Sequence, residues 1–188
     1  MDLPPPVCDT AAMSDPTVTI YTDGAASPNP GAGGYGIVVL RDGARAELSG
    51  GFRSTTNNRM ELVPAIVALR QLPEARTAAT IYSDSKYMVD NINGGYAARW
   101  RDNRWRTTAT KQPAKNADLW KELLELAARH QVTFVWVKSH AENPENCRCD
   151  ELAVLARQAP DLPPDEGYEA LLKQPEPPQQ MTLFGLTP

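Results

Sequence analysis

The amino-acid sequence predicts an α/β protein in which a mixed β-sheet is flanked by helices. The first strand-like segments are joined by short turns, whereas the later ones alternate with helical segments. Short turns join antiparallel strands, and helical crossovers join parallel strands, so the two halves of the pattern together indicate a mixed sheet. A chain of 188 residues with 41% hydrophobic content can bury one sizeable core.

Three predicted strands open the pattern, at residues 17–21, 35–41 and 45–52. Turn sequences at residues 29–31 and 42–43 separate them, and β-branched residues favour extended backbone in the first strand. That first strand runs into Asp23, so we expect it to end at an acid.

The first predicted helix covers residues 57–72 and carries an acid among its apolar residues. Its apolar side chains recur at helical spacing, Asn57 or Asn58 caps its start, and Pro73 ends it. Glu61 lies within the apolar set rather than on a polar face. A charge in that position requires a specific role, because burying it is costly.

The second half of the chain repeats a strand-then-acid pattern. A strand at residues 79–83 ends at Asp84, and a helix follows from Ser85. A helix at residues 117–130 precedes a strand at residues 132–137 and a loop with His140. Asp150 is expected to open the last helix, which runs to about residue 159.

Four acids therefore stand at element ends or on a core-facing helix: Asp23, Glu61, Asp84 and Asp150. Carboxylates that lie close together resist ionising unless a cation neutralises them, and an all-oxygen cluster suits Mg²⁺, with Mn²⁺ as a substitute. Two such ions about 4 Å apart support hydrolysis of a phosphodiester. Taken singly, Asp23 also suits a turn and Asp150 also suits a helix cap.

Several motifs resemble bacterial type-1 ribonuclease H, in order and over most of the chain. They are Thr22-Asp23-Gly24, Asn29-Pro30-Gly31 with Gly33-Gly34-Tyr35-Gly36, and the segments at residues 55–62, 80–85 and 140–150. The resemblance implies the ribonuclease H-like fold with a five-stranded sheet.

The resemblance also implies an activity and its catalytic residues. Asp23, Glu61, Asp84 and Asp150 would bind two Mg²⁺ ions and hydrolyse the RNA strand of RNA–DNA hybrids, leaving 5′-phosphate and 3′-hydroxyl ends. His140 would assist proton transfer or product departure. Such an enzyme removes R-loops and RNA primers.

A basic segment lies between Arg99 and Lys115, although the whole chain has a net charge of −4. Six bases against one acid give this segment a charge of +5, whereas residues 160–188 carry five acids and one base, or −4. Clustered bases with interleaved aromatic rings are typical of a phosphate-binding surface. The resemblance implies that this segment grips the DNA strand through Trp100, Arg101, Arg104, Trp105 and Arg106. The alternative is that the two tryptophans simply pack on the domain.

Amide side chains are candidates for recognising the 2′-hydroxyl of RNA, because an amide both donates and accepts hydrogen bonds. By resemblance, Asn29 and Asn57 lie along the minor groove, with Asn58 beside them, and Thr56 with Asn57 seats a DNA phosphate. Lys86 stands where relatives often carry an amide, and it can only donate. The asparagines also suit turns and caps.

Both ends lie outside the resemblance, so we predict a catalytic domain at residues 16–159. Residues 1–15 are expected to be disordered, and translation could start at Met13. Residues 160–188 are expected to form a flexible, acidic and proline-rich tail. It ends in a peptide with Gln180, Leu183 and Phe184 that looks like a sliding-clamp-binding motif; folding back on the enzyme is the alternative.

No apolar run approaches the roughly 20 residues that a membrane-spanning helix needs, so we expect a cytoplasmic monomer with no membrane partner. Two other functions stay open at this point. One is another nuclease or recombinase of the same fold, and the other is a non-catalytic hybrid-binding module.

Overall fold

The computed structural model describes residues 17–73, 76–138 and 143–173. The strands are β1 (Val18–Ala26), β2 (Gly31–Arg41), β3 (Ala44–Thr55), β4 (Ala78–Ser83) and β5 (Gln131–Trp136). The helices are α1 (Asn57–Arg70), α2 (Lys86–Asn93), α3 (Tyr96–Asp102), α4 (Ala117–Ala127), α5 (Pro144–Ala156) and α6 (Glu166–Leu172).

The strands form one mixed sheet in the order β3-β2-β1-β4-β5. The β1–β2 and β2–β3 pairs are antiparallel, whereas β1–β4 and β4–β5 are parallel. The predicted α/β architecture with a five-stranded mixed sheet is therefore confirmed.

The two faces of the sheet carry different cores, because alternate residues of a strand point to opposite faces. Ile20 of β1 lies in the main core, together with Leu62 of α1 and Trp120 of α4. Tyr21, the next residue of β1, packs on the other face against a smaller cluster that includes Cys149 of α5. Helices α1 and α5 thus cover β1 from opposite sides.

The first strand and the first helix differ from the sequence expectations at their ends. Strand β1 does not end at Asp23 but continues to Ala26, because Asp23 pairs with Gly36 of β2 and the antiparallel ladder extends beyond it. The N-cap of α1 is Thr56, with no side-chain hydrogen bond, rather than Asn57 or Asn58. The Asn57 side chain instead accepts a hydrogen bond from the Ala26 amide at 2.7 Å, which ties the helix start to the end of β1.

Helix α5 begins earlier than expected, so Asp150 lies in its middle and does not cap it. The Asn143 side chain accepts hydrogen bonds from the amides of Glu145 and Asn146, and Pro144 occupies the first turn. An Asn cap followed by proline is a strong helix start, and it overrides the weaker signal at Asp150.

The acidic segment after residue 160 was expected to be extended, but its described part contains α6. Asp165 caps this helix by accepting a hydrogen bond from the Tyr168 amide, and it is only 4% exposed. A seven-residue helix is not stable alone, so its contacts with the rest of the domain must hold it in place. Residues 1–15 and the terminal peptide with Gln180, Leu183 and Phe184 lie outside the described residues.

Within the described ranges, no helix has the length and apolar character that crossing a bilayer requires.

Candidate active site

Parallel pairing of β1 with β4 brings two of the predicted acids together. Thr22 pairs with Ser83, so the residues that follow them, Asp23 and Asp84, lie at the same level of adjacent strands. The pKa of Asp23 is raised to about 7, first by burial and next by the nearby charge of Asp84. The Gly24 amide donates to Asp23 Oδ1 at 2.7 Å and opposes part of this rise.

Glu61 reaches the same region from α1, because the backbone of that helix lies very close to β1. A Cβ atom on Gly24 would lie 2.2 Å from the carbonyl oxygen of Met60, so only glycine permits this approach. Glu61 is the next residue along the helix. Burial raises its pKa, a hydrogen bond from Ser85 lowers it, and the charge of Asp84 raises it.

Ser85 connects Glu61 to the start of α2. Its hydroxyl donates to the Glu61 carboxylate and also accepts from the Met88 amide at 2.9 Å as the N-cap. Because one side chain makes both contacts, the orientation of Glu61 depends on the position of α2. The sequence indicated Ser85 only as a helix start.

Asp150 approaches Asp23 from the opposite face of the sheet. Gly36, the cross-strand partner of Asp23, lies beneath α5, where a Cβ atom would be 2.1 Å from the carbonyl oxygen of Cys149. Asp150 follows Cys149, and its charge contributes to the raised pKa of Asp23. The charge of Glu61 contributes as well. The structure therefore places the other three predicted carboxylates around Asp23.

No Arg or Lys among the described residues forms a salt bridge with any of these four acids. Nor do three or more Asp, Glu, His or Cys side chains there lie close enough together to hold a metal ion as they stand. The donor set nevertheless fits a hard cation, because carboxylate oxygens are the ligands that Mg²⁺ and Mn²⁺ prefer. Burial is the main cause of the raised pKa of Asp23, and the charges of the other three acids add to it; a bound cation would offset both effects.

Trp136 is a neighbour of the site that the sequence reasoning missed. Its indole N–H donates to the backbone carbonyl of Asp84 at 3.0 Å, and its ring is 42% exposed. The Nζ atom of Lys86 lies 5.0 Å from the centre of the ring. The register of β4 with β5 would have revealed this neighbour. In that register Trp136 pairs with Ser83, the residue directly before Asp84.

Four of the predicted recognition residues, Asn29, Thr56, Asn57 and Asn58, gather where β1 meets α1. Asn29 Oδ1 accepts from the Asn57 amide at 3.1 Å, and Asn57 Oδ1 accepts from Ala26. These oxygens serve the fold, so the amide nitrogens are the groups left to donate to a ligand. Thr56, Asn58 and Asn29 line a cavity beside this corner.

The basic segment follows α2, and its two tryptophans pack inward. Trp100 makes an edge contact with the buried Trp120, with ring centres 5.8 Å apart, and Trp105 packs against the same core. Both rings therefore pack on the domain, as the alternative interpretation expected. Contact of their exposed parts with nucleic acid stays a prediction.

The predicted arginines of this segment, Arg101, Arg104 and Arg106, are exposed. Arg101 pairs with Asp102 at 3.0 Å, and Arg106 donates to the Lys111 carbonyl at 2.9 Å. His140 lies outside the described residues.

A buried ion-pair network stands beside the site. Arg59 is 2% exposed and binds Asp165 through Nε and Nη2 at 2.7 and 2.8 Å. It also binds Asp118 at 3.0 and 2.7 Å. Burial alone would raise the pKa of Asp118, but the hydrogen bonds and charge of Arg59 hold it below its usual value. Arg59 lies two residues before Glu61, so this network fixes the first turns of α1.

Comparisons with known proteins agree with this geometry. A family model described as RNase H matches residues 15–158. A ribonuclease H from Trichodesmium erythraeum is 55% identical over 152 residues, which span 81% of this chain and 96% of that relative.

Two crystal structures are similar in fold. LC9-RNase H1, a type 1 RNase H with the type 2 active-site motif, has a TM-score of 0.66 and 28% identity, covering 77% of this chain and 74% of that one. LC11-RNase H1 in complex with an RNA/DNA hybrid has a TM-score of 0.56 and 24% identity. The match covers 74% of this chain and 95% of that one. The second likeness concerns the fold alone. With the family model and the Trichodesmium relative, we conclude that the chain belongs to the ribonuclease H family of hydrolases.

Proposed function

We propose that this hydrolase cuts the RNA strand of RNA–DNA hybrids, with Asp23, Glu61, Asp84 and Asp150 as ligands of two Mg²⁺ ions. The observation that carries the proposal is the convergence of four carboxylates, none with a salt-bridge partner among the described residues, from β1, α1, α5 and the link between β4 and α2. Membership of the ribonuclease H family supports it, and the related fold of LC11-RNase H1 occurs in a complex with such a hybrid.

Bound Mg²⁺, or Mn²⁺ in its place, would activate a water and stabilise the leaving oxygen of the phosphodiester. Asp23 lies between its neighbours and is the carboxylate on which the other three charges act. Ser85 holds Glu61, and Trp136 holds the backbone of Asp84. Cleavage between phosphorus and the 3′-oxygen leaves a 5′-phosphate on one product and a 3′-hydroxyl on the other. His140 serves proton transfer or product departure.

The two strands are distinguished by groups on either side of the carboxylates. The amide nitrogens of Asn29 and Asn57, with Asn58, donate to the minor groove, and Lys86 donates to the RNA strand beside Asp84. Thr56 seats a phosphate of the DNA strand. The arginines Arg101, Arg104 and Arg106 neutralise further phosphates, with Trp100 and Trp105 supporting them from the core.

The cellular role that follows is removal of R-loops and RNA primers by a cytoplasmic monomer. The described residues 160–173 pack with the catalytic domain, and the residues that follow lie outside the described part of the chain. Its peptide with Gln180, Leu183 and Phe184 is proposed to bind a replication sliding clamp. Calorimetry with a peptide of residues 179–188 and the cognate clamp tests this, and the absence of binding heat at high micromolar peptide would refute it.

Cleavage of labelled RNA in four contexts tests the main proposal: RNA–DNA, RNA–RNA, single-stranded RNA, and DNA–DNA with a labelled DNA strand. Each is incubated with Mg²⁺ and with chelator. We expect metal-dependent loss of RNA from the hybrid alone. Cutting of DNA would indicate another nuclease activity of this fold, and tight hybrid binding without cutting would indicate a binding module.

A further inference from the structure

A cavity of about 840 Å³ adjoins the place where β1 meets α1, and helix α6 lines part of it. Its lining includes Asn29, Thr56 and Asn58. Lys115 lines it as well, and α6 contributes Tyr168 and Leu171. Leu171 is 50% exposed, although it belongs to a helix that is held in place by a buried ion pair.

The cavity is connected to the carboxylates through β1 and Asn57. Asn57 joins the end of β1 to the loop of Asn29 by its two hydrogen bonds. Ala26 stands three residues beyond Asp23 along β1, which corresponds to roughly 10 Å at the rise of a strand. A duplex whose cut strand lies over Asp23 would therefore place its other strand near this cavity, since a minor groove is about 6 Å wide in B-form and wider in A-form.

The charges around the cavity suit a polyanion. Among the described residues that line it, Asp118 is the one acid, and Arg59 pairs with its carboxylate. Lys115 is an exposed cation at the rim. The acids of α6 point elsewhere, because Glu169 binds Arg53 of β3 at 2.8 and 2.9 Å and Glu166 does not line the cavity.

We propose that α6 forms one wall of the groove that holds the DNA strand of the hybrid, with Tyr168 and Leu171 packing on deoxyribose rings and Lys115 pairing with a phosphate. The inference rests on the proposed function. An apolar wall suits deoxyribose, because a 2′-hydroxyl buried against Leu171 would lose its hydrogen bonds to water without replacement. The wall thereby adds discrimination against RNA in the uncut strand.

The first test compares Leu171→Glu with Leu172→Glu in the full-length chain. The two leucines are adjacent and both exposed, but Leu172 does not line the cavity, so it is a matched control. A carboxylate at position 171 would face the DNA phosphates. We expect a roughly tenfold higher KM for the hybrid at low salt, shrinking as salt rises, with kcat within about twofold of wild type. The Leu172→Glu variant should behave as wild type.

Equal KM values for the two variants would overturn the inference. This failure is distinguishable from failure of the proposed function, in which the wild-type protein would not cut the hybrid at all. A salt-independent rise in KM for Leu171→Glu would also contradict a phosphate-facing position.

The second test identifies what the wall contacts. A photoreactive benzoylphenylalanine replaces Leu171 in an Asp23→Asn background, and hybrids are labelled on one strand at a time. We expect crosslinks to the DNA strand. Crosslinks to the RNA strand, or to the chain's own residues 174–188 in the presence of hybrid, would show a different occupant and overturn the inference.

Discussion

At the scale of single residues, Asp23 is held in an environment that opposes its own charge. Burial and the charge of Asp84 raise its pKa from 3.8 to about 7, and the Gly24 amide compensates only in part. A group with these properties destabilises the fold when it ionises, unless a cation is bound. Stability does not explain the position, whereas the proposed metal binding would.

This environment predicts that Asp23→Asn stabilises the metal-free protein. Between about pH 4 and pH 7 the folded protein holds a proton that the unfolded chain has lost, so the free energy of unfolding of wild type falls as pH rises. Asn removes this dependence. The free energy of unfolding that Asp23→Asn gains over wild type should grow across that range and level off above pH 7. Its upper bound is on the order of 4 kcal/mol.

Urea unfolding in chelator at pH 5 and pH 8 measures the gain, with the exposed Asp90→Asn as the control. A gain of the same size at both pH values would contradict the assignment of the effect to ionisation of Asp23.

The hydroxyl oxygen of Ser85 serves both Glu61 and the start of α2. Ser85→Ala removes both the hydrogen bond to Glu61 and the cap of α2. We expect a loss of about 1 kcal/mol in stability from the cap. We also expect roughly tenfold lower kcat from the unrestrained Glu61. Ser85→Thr keeps the hydroxyl and should restore both. Steady-state kinetics and thermal unfolding check this, and an Ala variant with normal kcat would refute the positioning role.

At the scale of elements, two close backbone contacts position the acids on helices. Helix α1 lies on Gly24 and α5 lies on Gly36, and Glu61 and Asp150 follow directly after the contact points. A strand position that must be glycine thus sets the distance between a helix-borne carboxylate and Asp23. The glycine motif of the sequence contained this information, but only the register of β1 with β2 shows which helix each glycine meets.

Gly36→Ala tests this arrangement. The added Cβ would be 2.1 Å from the Cys149 carbonyl, so α5 must move away from the sheet and take Asp150 with it. We expect a stability loss of about 2 kcal/mol, together with at least tenfold lower kcat. Gly43→Ala is the control: its Cβ meets nothing, but its φ of +76° strains alanine. It should lose about 1 kcal/mol and keep full activity. Normal kcat in Gly36→Ala would contradict the account.

At the scale of the whole molecule, the charge distribution predicts how hybrid binding responds to salt. The exposed arginines of the basic segment should each release about one counterion on binding, so Arg104→Gln should reduce the slope of log affinity against log salt by about one. Arg129→Gln changes an exposed arginine outside that segment and should leave the slope unchanged. Fluorescence anisotropy of a labelled hybrid across salt concentrations measures it. Equal slopes for both variants would place the DNA strand elsewhere.

The sequence predicted the sheet and the four carboxylates because each was marked by a local pattern, either a strand followed by an acid or an acid in an apolar helix. It did not predict the network of Arg59, Asp118 and Asp165, whose members are up to 106 residues apart and carry no shared local signal. The composition of residues 160–173 indicated a solvated linker, yet a buried ion pair, a helix cap and the Arg53–Glu169 pair hold α6 against the domain. Tertiary contacts of this kind also turned Trp100 toward the core.

We propose that the four carboxylates form one metal-dependent site that hydrolyses the RNA of a hybrid. The most direct measurement is single-turnover cleavage of labelled RNA in an RNA–DNA hybrid with Mg²⁺, by Asp23→Asn, Glu61→Gln, Asp84→Asn, Asp150→Asn and the control Asp90→Asn. Stabilisation of transition-state charge by metal is worth several kcal/mol. The cleavage rate of each of the four variants should therefore fall roughly a hundredfold or more, while the control keeps the wild-type rate. Near wild-type cleavage by any two of the four variants would contradict the claim.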